Sequence, residues 1–418
     1  MNQKSSPWHH LGAAPHRGMF LAGTLQGVLT LLWWVFDLAA RHDLIAFVGE
    51  IAPAWSIPPI WAHAFLMIYG FFSFFILGFL FTTFPNWMNG EKIPRRNYVL
   101  SCLLMTMGIL VFYAGLATSG SVAAAGTAIL LAGFSIAVYS LLRVLLRVGD
   151  QDRRHAIAAS AALICGWLGI AAYLLWLGTK NPVMLDFSRN AGIWFFLLPI
   201  VVTVSHRMIP FFSSRVLENY VLVRPYWLLW VMLACSIGHG ILQLTGAGLS
   251  WSWMVDLPLA AIVIYLSLKW GLLRSFRIHL LAVLHIGFAW LGVAMLLYGV
   301  QSLVFLASGN ELLILGLAPL HALAIGYFTS MVLGMASRVT LGHSGRPLVL
   351  DDFSWLLFIG FQAAVILRIA PDLTGGTLSE AATLAYLLAG LVWLVCFGLW
   401  AGRYAPIYWR ARTDGKPG

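Results

Sequence analysis

Five histidines, His63, His206, His239, His285 and His321, fall inside long apolar stretches of this sequence, and His343 stands just past one. Neutral imidazole is a good ligand for haem iron and for copper. No two of these six are three or four residues apart, so no single helix can chelate a metal from one face. A site must be assembled between helices, as in helical bundles. The plain alternative for each is a hydrogen bond to a neighbouring helix. His239, flanked by Gly238 and Gly240, has the surroundings of such a packing residue. His9, His10, His16, His42, His155 and His279 fall in loops or at interfaces, where water is expected to solvate them, His16 only in part.

Two segments place cations beside these histidines. Ser205-His206-Arg207-Met208-Ile209-Pro210 closes one apolar stretch, and Ser337-Arg338-Val339-Thr340-Leu341-Gly342-His343 closes another. Arginine at a helix C-terminus complements the helix dipole. It is also the side chain that grips a carboxylate, such as a propionate, with two hydrogen bonds. The polar length of the second segment favours that role for Arg338. Cys102, Cys165, Cys235 and Cys396 each sit in an apolar run without CxxC spacing, which argues against a thiolate site.

Membrane helices must position these groups. The chain is 61% hydrophobic and 10% charged, with a mean hydropathy of +0.86; soluble domains are about 45–50% apolar and about 25% charged. Apolar segments near 20–40, 60–84, 98–116, 122–146, 157–177, 188–210, 225–246, 254–274, 280–306, 311–338, 353–371 and 378–402 read as twelve transmembrane helices in one all-α domain spanning 1–418. The first lacks a cleavage site and reads as a retained span. With the N-terminus inside, only Arg41, Lys180, Arg189 and Arg368 of the 25 Lys and Arg lie outside. That bias places both termini in the cytoplasm. The net charge of +10 then reflects orientation and lipid headgroups, not nucleic acid.

Depth along these spans sorts the histidines into two layers. His63, His239 and His321 belong to the outer half, with His321 about ten residues, roughly 15 Å, into its span. His206, His285 and His343 lie toward the cytoplasm. The spans hold little acid: Asp37 and Arg368 lie near helix ends, and no buried carboxylate relay is expected. No internal repeat stands out.

The run from Leu320-His321-Ala322-Leu323 through Gly326, Gly334, Met335 and Arg338 to Leu341-Gly342-His343-Ser344-Gly345-Arg346-Pro347-Leu348 resembles the signature of the NnrS family. Arg207-Met208-Ile209-Pro210, Leu284-His285-Ile286-Gly287 with Trp290, and Pro85-Asn86-Trp87 resemble other family segments. The family is associated with haem, with copper and with the bacterial nitric oxide response. The resemblance implies a multi-pass inner-membrane protein of nitrosative stress protection whose small ligand is nitric oxide or a relative. It implies His63 and His321 as an outer ligand set, His206, His285 and His343 as an inner set, and Arg207 and Arg338 as supports for propionates or helix ends. One segment departs from the pattern: Phe65 stands where the family has a second histidine and Leu66 where it has a glutamate. Haem is therefore the expected cofactor, and copper is expected only if another histidine, such as His206, supplies the missing donor. Two other classes stay open. A nitric oxide reductase-type enzyme would need a histidine pair in one span, which is absent, and a twelve-helix transporter would need buried charge. Turnover and the redox partner are not legible.

Overall fold

The structure, a computed structural model, describes residues 10–42, 54–149, 151–375 and 379–415. Among these residues the regular structure is helical and contains no strand. Eleven helices have the length and hydropathy to cross a bilayer. They are α1 Pro15–Arg41, α2 Pro59–Trp87, α3 Arg95–Thr118, α4 Gly120–Arg147, α5 Arg154–Thr179, α6 Pro182–Val216, α7 Tyr226–Leu244, α9 His279–Ala307, α10 Ala318–His343, α11 Asp352–Leu373 and α12 Glu380–Tyr408. The remaining expected span is α8, Trp253–Lys269, with 17 residues, or about 25 Å of helix. The chain is a multi-pass membrane protein.

Local chemistry sets the helix starts. Proline occupies the first turn of α1, α2, α6 and α10, where its missing N–H has no helical acceptor to lose. Asn181, Ser119 and Asp351 accept backbone N–H groups at the starts of α6, α4 and α11. The cap and proline start α6 at Pro182, earlier than the hydropathy predicts. α10 begins later than expected. Residues 312–317 are apolar but lie outside any helix, because Gly309, Asn310 and Gly316 take positive φ and Pro319 fixes the first turn. His321 therefore lies in the first turn of α10, not about ten residues inside it. His206 corrects the other way: α6 continues ten residues past it, to Val216, so it lies well inside the helix.

Among the described residues three helices contain π-helical stretches: Leu66–Phe72 in α2, Ala191–Leu197 in α6 and Ala322–Thr329 in α10. Such stretches are rare and frequently mark functional sites. Ser73 Oγ donates to the Ile68 carbonyl at 3.3 Å and Thr329 Oγ1 to that of Ala324 at 3.1 Å, each five residues back.

Packing divides the chain into two compact units. The first holds the chain through Phe196, Met335–Leu348 and the chain from Gly398 onward; the second holds Leu197–Gly334 and Val349–Phe397. In the first unit α2 is an interior helix, with most of its apolar length buried. Phe65, Phe71, Phe74 and Phe84 on α2 are each almost wholly enclosed. α3 and α4 meet backbone to backbone, since a Cβ at Gly108 or Gly126 would collide with the facing main chain. In the second unit the buried faces of α9 and α10 meet at Gly326, over which the Trp290 ring lies, and Ala318, Val365 and Ile369 form a core beneath it.

Candidate functional site

α7, α8 and α9 of the second unit bring together a buried polar cluster around a span histidine. His239 Nδ1 lies 2.7 Å from Asp256 Oδ1, and both side chains are 1% exposed. Gln243, one turn along α7, places its amide 3.2 Å from His239 Nε2. The Tyr298 ring stands edge-on to the imidazole, 4.9 Å between centroids. Asp256 occupies the first turn of α8, where the helix dipole favours a negative charge. The carboxylate accepts the Nδ1 proton, so Nε2 carries the lone pair. A carboxylate on the second ring nitrogen is the usual support of a metal-ligating histidine. The expectation that no carboxylate is buried in the spans is thus corrected. Asp256 opens an apolar segment in sequence, but the turn at Gly248–Trp251 carries it into the packed interior.

His321 is held in a similar sense. Its Nδ1 donates to the Leu317 carbonyl at 3.0 Å, which again makes Nε2 the lone-pair nitrogen. A second buried carboxylate fixes the turn that carries it. Asp372, 2% exposed, accepts from Leu317 N and from Arg368, each at 3.1 Å, and from the Tyr386 hydroxyl.

The other two span histidines of this unit are engaged through Nε2. His206, fully buried, donates from Nε2 to the Pro225 carbonyl at 3.2 Å. It lies against Trp270, whose indole N–H bonds the Val223 carbonyl. His206 therefore latches the α6–α7 connection. His285 Nε2 lies 3.0 Å from Ser213 Oγ, seven residues or roughly 10 Å of helical rise beyond His206 on α6. Arg207 is half-buried in this unit.

In the first unit His63, half-buried, stacks on Trp34 with centroids 4.0 Å apart. His63 and His321 share a local pattern. Each precedes a π-helical stretch, and each is followed six residues on by a buried tyrosine. Tyr69 donates to the Ser188 carbonyl at 2.6 Å, and Tyr327 lies 3.0 Å from Ser205 Oγ. His343, at the end of α10, does not stand alone: its ring lies 4.8 Å from that of His16. His16 is 2% exposed and touches Thr82 Oγ1 at 3.5 Å, so its expected solvation is corrected. His155 is likewise buried at the start of α5. Arg17 binds the C-terminal segment beside this pair by donating to the Tyr408 and Arg410 carbonyls at 3.4 and 2.8 Å. Arg338 is buried at 8% exposure.

Phe65 explains what replaced the family histidine. Its ring stacks between Tyr173 and Phe112, at 4.1 and 4.8 Å, and Leu66 is fully buried. Both positions are apolar core. Among the described residues no three His, Cys, Asp or Glu side chains group as a metal-ion set. A cavity of about 300 Å³ in this unit is lined by Lys92, Asn97, Arg143 and Arg147 and contains no histidine.

A multi-pass helical protein with imidazoles on its interior helices, one of them paired with a buried carboxylate, is the class this arrangement defines. Residues 10–412 match the family described as NnrS protein, and the chain belongs to that family. No curated protein matches it.

Proposed function

We propose that this chain is a haem-binding protein of the bacterial inner membrane that serves the nitric oxide response. The observation that carries the reading is the His239–Asp256 pair. A neutral imidazole whose Nδ1 proton is held by a carboxylate presents a basic Nε2 to a metal. A carboxylate out of water is expensive in a span, and structural packing alone has no need of it. His321, with Nδ1 on a backbone carbonyl, fits the same role. His63 and His343 remain candidate ligands of the first unit. His206, which donates from Nε2 to the Pro225 carbonyl, and His285, held at Nε2 by the Ser213 hydroxyl, fit positioning better than ligation, whereas the Gln243 amide donates to the His239 Nε2 lone pair and must turn away for a metal to bind there. Arg207 and Arg338 fit propionates. Haem iron would supply reversible binding of nitric oxide. The apolar surroundings of Phe65 and Leu66 fit a copper site poorly, so copper is not part of the reading.

Pyridine-haemochrome and metal analysis of detergent-purified protein tests this directly. Haem at a fixed ratio to the chain, without stoichiometric copper, is the expected result. Protein that stays haem-free after haem supplementation would overturn it. Buried carboxylates also meet the need of a proton-coupled transporter, and a haem-free protein would move the reading to that class.

A further inference from the structure

One face of α1 carries polar groups that the described residues do not satisfy. Gln26, Thr30, Trp33 and Asp37 follow at helical spacing and so lie along one stripe. Their exposures are 4%, 0%, 9% and 3%. Asp37 closes the stripe at the Arg41 end: it pairs with Arg41 at 2.6 Å and accepts from Trp55 Nε1 at 2.8 Å. Deeper in, Trp33 Nε1, Thr30 Oγ1 and both polar atoms of the Gln26 amide are buried without a hydrogen-bond partner. Tyr113 of α3 turns its hydroxyl toward Thr30 and Gln26, yet that hydroxyl is in hydrogen-bonding geometry with neither. Gly70, within the π-helical stretch of α2, makes room for Gln26: a Cβ there would lie 3.0 Å from Gln26 Nε2.

An unsatisfied buried polar group is costly, and more so in hydrocarbon. Five such atoms, four on the stripe and the Tyr113 hydroxyl of α3, are too many to be left dry. The groups are uncharged and include donors and acceptors at close spacing, so their occupant is small, neutral and able both to donate and to accept. Water has these properties. Asp37 to Gln26 is eleven residues, roughly 16 Å of rise, against a hydrocarbon core of about 30 Å. Beyond Gln26 the same face offers Gly23, packed under Phe74 and Phe75, and Met19, fully buried. The polar stripe ends there.

We infer that the first unit contains a hydrated half-channel along the Gln26 face of α1, reaching from the Arg41 end to mid-membrane, with water as its ligand. It gives water, and the protons water carries, access from one side to the interior of α1, α2 and α3. The inference does not depend on haem.

Hydroxyl-radical footprinting of the full chain in lipid nanodiscs, read by mass spectrometry, tests it. Tyr113 and Trp33 should be oxidised much faster than Tyr69 and Tyr173, which are enclosed and hydrogen-bonded to backbone carbonyls. The double substitution Gln26→Leu with Thr30→Val should suppress labelling of Tyr113, while Thr30→Ser should retain it. Wild-type protein in which Tyr113 and Trp33 are as protected as Tyr69 would overturn the half-channel. So would labelling of Tyr113 that persists unchanged in a folded double variant.

Discussion

At the scale of single residues, the chemistry turns on which nitrogen of each imidazole is held. The sequence identifies His63, His206, His239, His285, His321 and His343 by their place in apolar stretches, but not their tautomers. Those depend on Asp256, Leu317, Pro225 and Ser213, partners spread over other turns and helices. Asp256 was not legible because a carboxylate at the first residues of an apolar segment reads as interfacial. Phe65 was legible as a departure, and its two stacked neighbours supply the reason. Removing the Asp256 carboxylate leaves the Nδ1–H of the neutral His239 buried without its acceptor, at about 1–3 kcal/mol. Asp256→Ala should therefore lower the thermal unfolding temperature of the detergent-solubilised protein markedly. Adding His239→Ala should cost much less than the sum of the two single substitutions. Strict additivity would show that the pair is not coupled.

At the scale of elements, hydropathy found the helices because a membrane-spanning backbone must satisfy its own hydrogen bonds. It misjudged the start of α10 because it counts apolar side chains and is blind to φ. Leu312 and Leu313 are apolar and exposed, in a loop shaped by Gly309 and Asn310. The π-helical stretches had no sequence signal, since their side-chain partners, Tyr69 with Ser188 and Tyr327 with Ser205, join distant helices. Asp372 is the device that holds the first turn of α10 and, through it, His321. Asp372→Asn keeps the size and loses the charge. It should speed amide hydrogen exchange at Leu317–His321 about ten-fold, the equivalent of one charge-assisted hydrogen bond. Exchange within α3 should not change. An unaltered rate at Leu317 would remove Asp372 from this role.

At the scale of the whole molecule, the distribution of Lys and Arg predicts both termini in the cytoplasm. A fluorescent protein fused after the C-terminus should fluoresce, and alkaline phosphatase fused within the α3–α4 turn at Ser119 should be active. The reverse pattern would invert the topology. The family and the multi-pass helical architecture were legible because the LHAL-to-GRPL block is long and the charge bias strong. The division into two units was not, since three of its four boundaries fall inside helices, in α6, α10 and α12. The central claim, that imidazoles on interior helices hold haem that meets nitric oxide, is tested most directly by one optical titration. Reduced, purified protein is titrated with nitric oxide as wild type and as the His239→Ala, His321→Ala and His206→Ala variants. The account predicts a Soret band that shifts with nitric oxide. The band should be lost or displaced in at least one of the His239 and His321 variants and kept in the folded His206 variant. A band indifferent to both His239 and His321, or no band after haem supplementation, would contradict it.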